Sequence, residues 1–264
     1  LIGVASSTLI VSAASAGSIT AVSWGGAYTK SQVEAYHKPW SSKTGHQVVS
    51  EDYGGGLAEI RSQVEAGNVT WDIVDVELSD AVLGCDEGLL EEIDTSMLPA
   101  GADGTPAMQD FIPGSITDCA VGNIVWSTIY AYDFEKMPNG PKTMADFFDL
   151  DKFPGKRGIH TWATGIIEKA MVADGVDPQA VPTVLEKQTG ALDRAFDKLD
   201  TIKDHVVFWS SGSKPLELVK SGEVVMAIAY NGRVGAANLA EGENFEYIWE
   251  GQVLDQEYLC LTTG

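Results

Sequence analysis

Positive charge is scarce in this sequence. Its 264 residues carry 17 Lys and Arg against 38 Asp and Glu, for a formal net charge of −21. A chain that grips nucleic-acid phosphates or an anionic membrane surface needs the opposite balance, so neither is expected as a partner. Cysteine is also scarce. The three residues Cys85, Cys119 and Cys260 form no C-x-x-C pair, which leaves zinc and thioredoxin-like chemistry without support. The four histidines (His37, His46, His160, His205) are scattered, with no H-E-x-x-H spacing. No G-x-S-x-G is present to seat a hydrolase serine. Gly54-Gly55-Gly56 lacks a following P-loop Lys-Ser/Thr and reads as a turn. Ser211-Gly212-Ser213-Lys214 and Lys43-Thr44-Gly45 match motifs of penicillin-binding enzymes, but in reversed order and without Ser-Asp-Asn. The eight tyrosines are never adjacent, Tyr130 and Tyr132 being the nearest pair, which disfavours a clustered-tyrosine iron site. No repeat, low-complexity tract or heptad series interrupts the chain. These absences point away from an enzyme and imply no metal and no cofactor.

What is present suits a folded α/β protein. Apolar residues make up 44% and aromatics 9%, enough for a real core. Residues 1–16 are uncharged and end Ala14-Ser15-Ala16, the small-x-small pattern of a signal-peptidase site. We read 1–16 as the remnant of a signal peptide and place the mature start near Gly17. Export permits disulfides. A Cys85–Cys119 bridge with Cys260 buried is the expected pairing, and three simple core cysteines are the alternative.

Strand and helix signals alternate. Strands are expected at 19–24, 47–50 and 71–76. A helix is expected to open at Ser31, with Glu34 completing a capping box. Further helices are expected over 57–66, stopping at Gly67, and over 79–87, stopping at Gly88. This βαβαβα series implies a parallel sheet covered on both faces. Residues 99–118 break the pattern. The apolar run 121–132 is long enough to leave one sheet and enter another. A second α/β set follows, with strands near 158–161, 206–209 and 224–230, and helices near 143–148, 164–174, 192–199, 215–221 and 234–240. Residues 258–262 are β-like again. Two such sets suggest two lobes over a crevice, where ligands bind at the carboxyl ends of strands and hinge motion closes the cleft.

Several segments recur in order: Trp24-Gly25-Gly26, Trp71-Asp72-Ile73-Val74-Asp75, Glu87-Gly88-Leu89-Leu90 with Ile93-Asp94, and Phe153-Pro154-Gly155-Lys156-Arg157. Trp209-Ser210-Ser211-Gly212, Gly222-Glu223-Val224 and Tyr230-Asn231-Gly232-Arg233 follow. Together they resemble the polyamine and γ-aminobutyrate branch of the bacterial extracellular solute-binding proteins, from about residue 19 to the end. The resemblance implies a periplasmic-binding-protein fold of type II with two α/β lobes. Lobe 1 would hold 17–126 plus 253–264, and lobe 2 would hold 127–252. Family members usually continue with helices that complete the first lobe, so lobe 1 is expected to be incomplete. The implied function is capture of a small amine, such as putrescine or spermidine, by cleft closure, followed by delivery to the membrane permease of an ABC importer. A γ-aminobutyrate-like zwitterion is the alternative ligand, and an exported enzyme is the alternative of another class. A periplasmic monomer is expected.

The resemblance places Trp24, Glu77, Ser79, Trp209 and Tyr230 in the cleft. His160–Ile167 falls where polyamine binders carry acidic residues, and here it has no carboxylate. The chemistry of an alkylammonium ligand calls for aromatic faces and a carboxylate. Trp126, Trp162 and Tyr28 are further aromatic candidates, with core packing as the alternative for each Trp. Glu77 follows an apolar strand, and Asp255 and Glu257 precede the last one; solvated loop carboxylates are the alternative. Arg233 stands at the start of a helix, where the dipole disfavours a cation, which makes sense if it helps hold a ligand carboxylate. A surface salt bridge is its alternative.

Overall fold

Eight strands form one sheet in the order β2-β1-β3-β8-β4-β7-β5-β6. The computed structural model describes residues 17–264, so the signal-peptide reading of 1–16 lies outside it. The strands are β1 (Ser18–Ser23), β2 (Gln47–Asp52), β3 (Ile73–Glu77), β4 (Ala120–Asp133), β5 (Arg157–His160), β6 (Val206–Trp209), β7 (Met226–Tyr230) and β8 (Phe245–Leu261). β1 pairs in parallel with β2 and β3, and β5 pairs in parallel with β6 and β7. Between these two parallel trios run β4 and β8, antiparallel to each other and to the strands beside them. β8 spans 17 residues, roughly 55 Å at the usual strand rise, so it reaches from one trio to the other.

This geometry corrects two expectations. The 121–132 run does not leave one sheet for another, because β4 and β8 pair along their length and weld both trios into a single sheet. The last strand starts at Phe245, well before 258, because pairing with β4 draws in a stretch whose carboxylates and Gly251 hide the strand pattern. Register shifts at Gly122/Ile124 and Thr128/Tyr130 bend the pair.

β4 reads as a continuous apolar run because both of its faces are covered. Tyr130 and Tyr132 pack with Met144, Phe147, Ile159 and Met171 on one side. Ile129 and Ala131 pack with Trp209, Leu218 and Val234 on the other. A separate core, around Val22, Ile60, Trp71, Val74, Val76 and Tyr258, serves the first trio. The Phe-Pro-Gly-Lys-Arg segment gains its shape from Arg157. This fully buried guanidinium donates to the carbonyls of Phe147, Asp149, Phe153 and Gly155 at 2.6–3.1 Å.

The capping box expected at Ser31 does not form. The helix starts earlier, at Gly26, and runs through a π-helical stretch, Val33–His37, to Thr44. Ser31 lies inside it and donates to the carbonyl of Tyr28. A capping box forms at Thr143–Asp146 instead. The helix Val181–Lys187 is an addition to the sequence reading. The stop at Gly67 falls as expected, in the left-handed region that favours glycine. Cys85 and Cys119 form the expected disulfide, and Cys260 is buried and free. Among the described residues, no helix is long and apolar enough to cross a membrane.

Candidate functional site

The carboxyl ends of the parallel strands converge on one cavity of about 480 Å³. Trp24 follows β1, Tyr53 follows β2 and Glu77 ends β3; His160 ends β5, Ser210 follows β6 and Tyr230 ends β7. The crossing strands β4 and β8 supply Ile124, Val125, Trp126 and Glu257 to its lining. Ligands of open α/β sheets sit at this kind of position.

Of the residues singled out from sequence, Trp24, Tyr28, Glu77, Trp126, Trp162, Tyr230 and Arg233 line this cavity. Trp209 and Asp255 line a recess of about 20 Å³ that shares Glu77, Trp126 and Tyr230 with it. Ser79 lines neither, because the chain turns into the helix Leu78–Asp86 right after Glu77 and leaves Ser79 exposed on its first turn. Tyr53, His160 and the loop Ser210–Gly212 were not among the selected residues, yet all line the cavity; Glu257, weighed from sequence beside Asp255 against a solvated loop carboxylate, lines it too. What the sequence did not show is that Glu257 stands opposite Glu77, because the two are remote in the chain and meet only through the β3–β8 pairing.

Aromatic rings form a continuous wall. Trp24 meets Tyr53 at 5.3 Å and Trp162 at 6.1 Å. Trp162 meets His160, His160 meets Trp209, and Trp209 meets Tyr230, which meets Trp126. The glycine triplet is more than a turn. A Cβ on Gly55, where φ is +86°, would lie 2.5 Å from the Trp24 ring, so the backbone approaches the indole as only glycine allows. Trp162 N–H donates to His160 Nδ1 at 2.8 Å, and burial lowers the His160 pKa, so this ring is neutral in the wall.

Glu77 and Glu257 line the cavity, and Asp75 lies within the field of Glu257. Asp75 is fully buried and accepts from Ser23 Oγ at 2.9 Å and Gln32 Nε2 at 2.6 Å. Burial still raises it to about 6 against those hydrogen bonds. Glu77 is pushed up to about 7, first by burial and then by Asp255 and Asp80. Glu257 accepts from Trp24 Nε1 at 3.0 Å. It is pushed up to about 9, first by burial and then by Asp75 and Glu77.

Arg233 supplies the opposite charge. It stands in the helix Asn231–Ala236, just after β7, and its Nη2 donates to the Trp24 carbonyl at 3.0 Å. It makes no salt bridge among the described residues. Two glycines clear its place: a Cβ on Gly26 would lie 2.8 Å from Nη1, and one on Gly212 would lie 2.6 Å from Nε. Tyr230 lies within the fields of both Glu77 and Arg233. The cavity therefore pairs an unneutralised cation with buried carboxyls across an aromatic wall, a set suited to binding. Among the described residues, no group of three or more His, Cys, Asp or Glu is placed to hold a metal.

Comparison with known proteins agrees with this architecture. The chain is 40% identical over 247 residues to a gamma-aminobutyric acid-binding protein of Pseudomonas aeruginosa, covering 94% of this chain and 68% of that one. The crystal structure of PBP MotA from A. tumefaciens B6, in complex with glucopine, superposes with a TM-score of 0.83 at 33% identity, covering 94% of this chain and 74% of that one. The structure of a GABA receptor superposes with a TM-score of 0.76 at 33% identity, covering 93% and 72% respectively. The family model for the bacterial extracellular solute-binding proteins matches residues 32–264. The chain thus has the two-lobed periplasmic-binding-protein fold and belongs to the bacterial extracellular solute-binding proteins, a family of binders and not of enzymes.

Proposed function

We propose that this protein captures a small zwitterion of the γ-aminobutyrate kind and delivers it to the membrane permease of an ABC importer. The observation that carries the reading is Arg233, a cation without an ion-pair partner among the described residues, which opens on the same cavity as Glu77 and Glu257. The ligand carboxylate sits on Arg233 beside the Ser210–Gly212 loop, in a charge-assisted hydrogen bond. The ammonium sits among the faces of Trp24, Tyr53 and Trp162, near Glu257. A diamine has no group to neutralise the guanidinium and meets it as a like charge. The zwitterion is therefore preferred to putrescine or spermidine, in line with the 40% identical γ-aminobutyrate binder.

In this reading, lobe 1 (17–126 with 253–264) and lobe 2 (127–252) close on the ligand because only the closed form makes both sets of contacts. The protein acts as a periplasmic monomer. Thermal-shift titration with γ-aminobutyrate, putrescine and spermidine tests the proposal. A ligand at one hundred times its Kd adds about 2.7 kcal/mol of stability. Stabilisation by γ-aminobutyrate alone supports the reading. Stabilisation by the diamines alone replaces it with a polyamine site, and no shift with any of the three overturns the amine reading.

A further inference from the structure

Glu77 and Glu257 are directly opposite one another in the antiparallel β3–β8 pair, and both open on the main cavity. Like charges in that relation repel, and two carboxyls sharing a partly desolvated site cannot both ionise without cost. Neither takes part in a salt bridge among the described residues.

The groups around the pair deepen this conflict. Asp75 on β3, Asp80 on the following helix and Asp255 on β8 add negative charge. Tyr28, Tyr53 and Tyr230 face it from the helix after β1, the end of β2 and the end of β7; Cys260 lies further along β8. The Trp24 indole donates one hydrogen bond to Glu257. Arg233, the cation of the cavity, spends a donor on the Trp24 carbonyl.

We infer that Glu77 and Glu257 hold one proton between them in the unliganded protein and release it when an alkylammonium group docks beside them. The inference rests on the amine-binding reading and adds a proton linkage to it. The proton balance is simple. A carboxyl O–H ionises and its proton passes to solvent. The ligand ammonium, with a pKa near 10 in the manner of lysine, keeps its own proton and becomes the counterion of the new carboxylate. The raised positions of both groups, about 7 for Glu77 and about 9 for Glu257, agree with a pair that titrates as a unit. Affinity for an ammonium ligand then rises with pH, by about tenfold per unit between pH 6 and 8 for one proton released.

Isothermal titration calorimetry of the full chain at pH 7, in two buffers of different protonation enthalpy, tests this with γ-aminobutyrate and putrescine. The wild-type protein is expected to release about one proton per ligand bound. Glu257→Gln keeps an acceptor for the Trp24 indole but cannot ionise; it is expected to release markedly less, with a flatter pH dependence. Glu77→Gln, the second variant, is expected to reduce the release by removing the repulsion. Equal heats in both buffers with binding intact overturn the inference alone. Unchanged release in a folded Glu257→Gln protein does the same. Absence of binding by both ligands to the wild-type protein overturns the amine reading together with the inference.

Discussion

The guanidinium of Arg233 donates to the carbonyl of Trp24 across 209 residues of sequence, at 3.0 Å. One hydrogen bond thus links the helix after β7 to the turn after β1, between two residues that line the cavity. Because Arg233 has no salt-bridge partner among the described residues, its remaining donors are available to a ligand anion. Replacing it with Gln removes the charge. We expect γ-aminobutyrate affinity to fall about 10- to 100-fold, the worth of one charge-assisted hydrogen bond, while putrescine binding holds or improves. Calorimetric Kd values for both ligands check this.

Gly212 gives a sharper test, because it alters the site without touching a polar group. Its backbone is ordinary, but a Cβ there would lie 2.6 Å from Arg233 Nε. Gly212→Ala is expected to push the guanidinium aside and weaken γ-aminobutyrate binding by roughly tenfold. The same substitution should leave the thermal midpoint within a few degrees of wild type. A large loss of stability with affinity unchanged would show that the glycine serves packing only.

The pH dependence of stability has a defined sign. Glu257 is raised to about 9 in the folded protein, well above its unfolded value. Between those values the folded state holds the extra proton, so stability falls as pH rises through the window. Lys169, fully buried and lowered to about 7, acts in the opposite sense above pH 7, and His160, lowered by burial, does so at more acidic pH. The comparison with Glu257→Gln removes this carboxyl together with its coupling to Glu77. The midpoint of that variant, relative to wild type, is expected to climb steadily from pH 5 to pH 9. Scanning calorimetry at several pH values measures the trend.

The Cys85–Cys119 bridge ties the helix Leu78–Asp86 to the residue just before β4 across a sequence separation of 34. A loop of that length restrains the unfolded chain by roughly 3–4 kcal/mol in the chain-entropy picture. Both cysteines lie away from the cavity lining. Cys85→Ala/Cys119→Ala is expected to lower the denaturation midpoint by a corresponding amount while ligand affinity holds. Chemical denaturation with and without γ-aminobutyrate separates the two effects.

Local signals in the sequence determined a good part of this protein. Short apolar, β-rich runs marked the parallel strands, and Gly67 marked a helix end, because those features depend on neighbours in the chain. Trp24, Glu77 and Tyr230, which the family resemblance pointed to, line the cavity, each standing at or just past the end of such a strand. Ser31 was misread because its capping signal is local, whereas the helix start is set by the Gly25–Gly26 turn against β2 and the Arg233 helix. Only the tertiary structure decided that β8 begins at Phe245, since the β4 backbone supplies the hydrogen bonds that its mixed sequence does not advertise. That pairing also places Glu257 opposite Glu77 and brings Gly212 against Arg233. Charge coupling and close approach depend on distance in space, which a one-dimensional pattern does not carry.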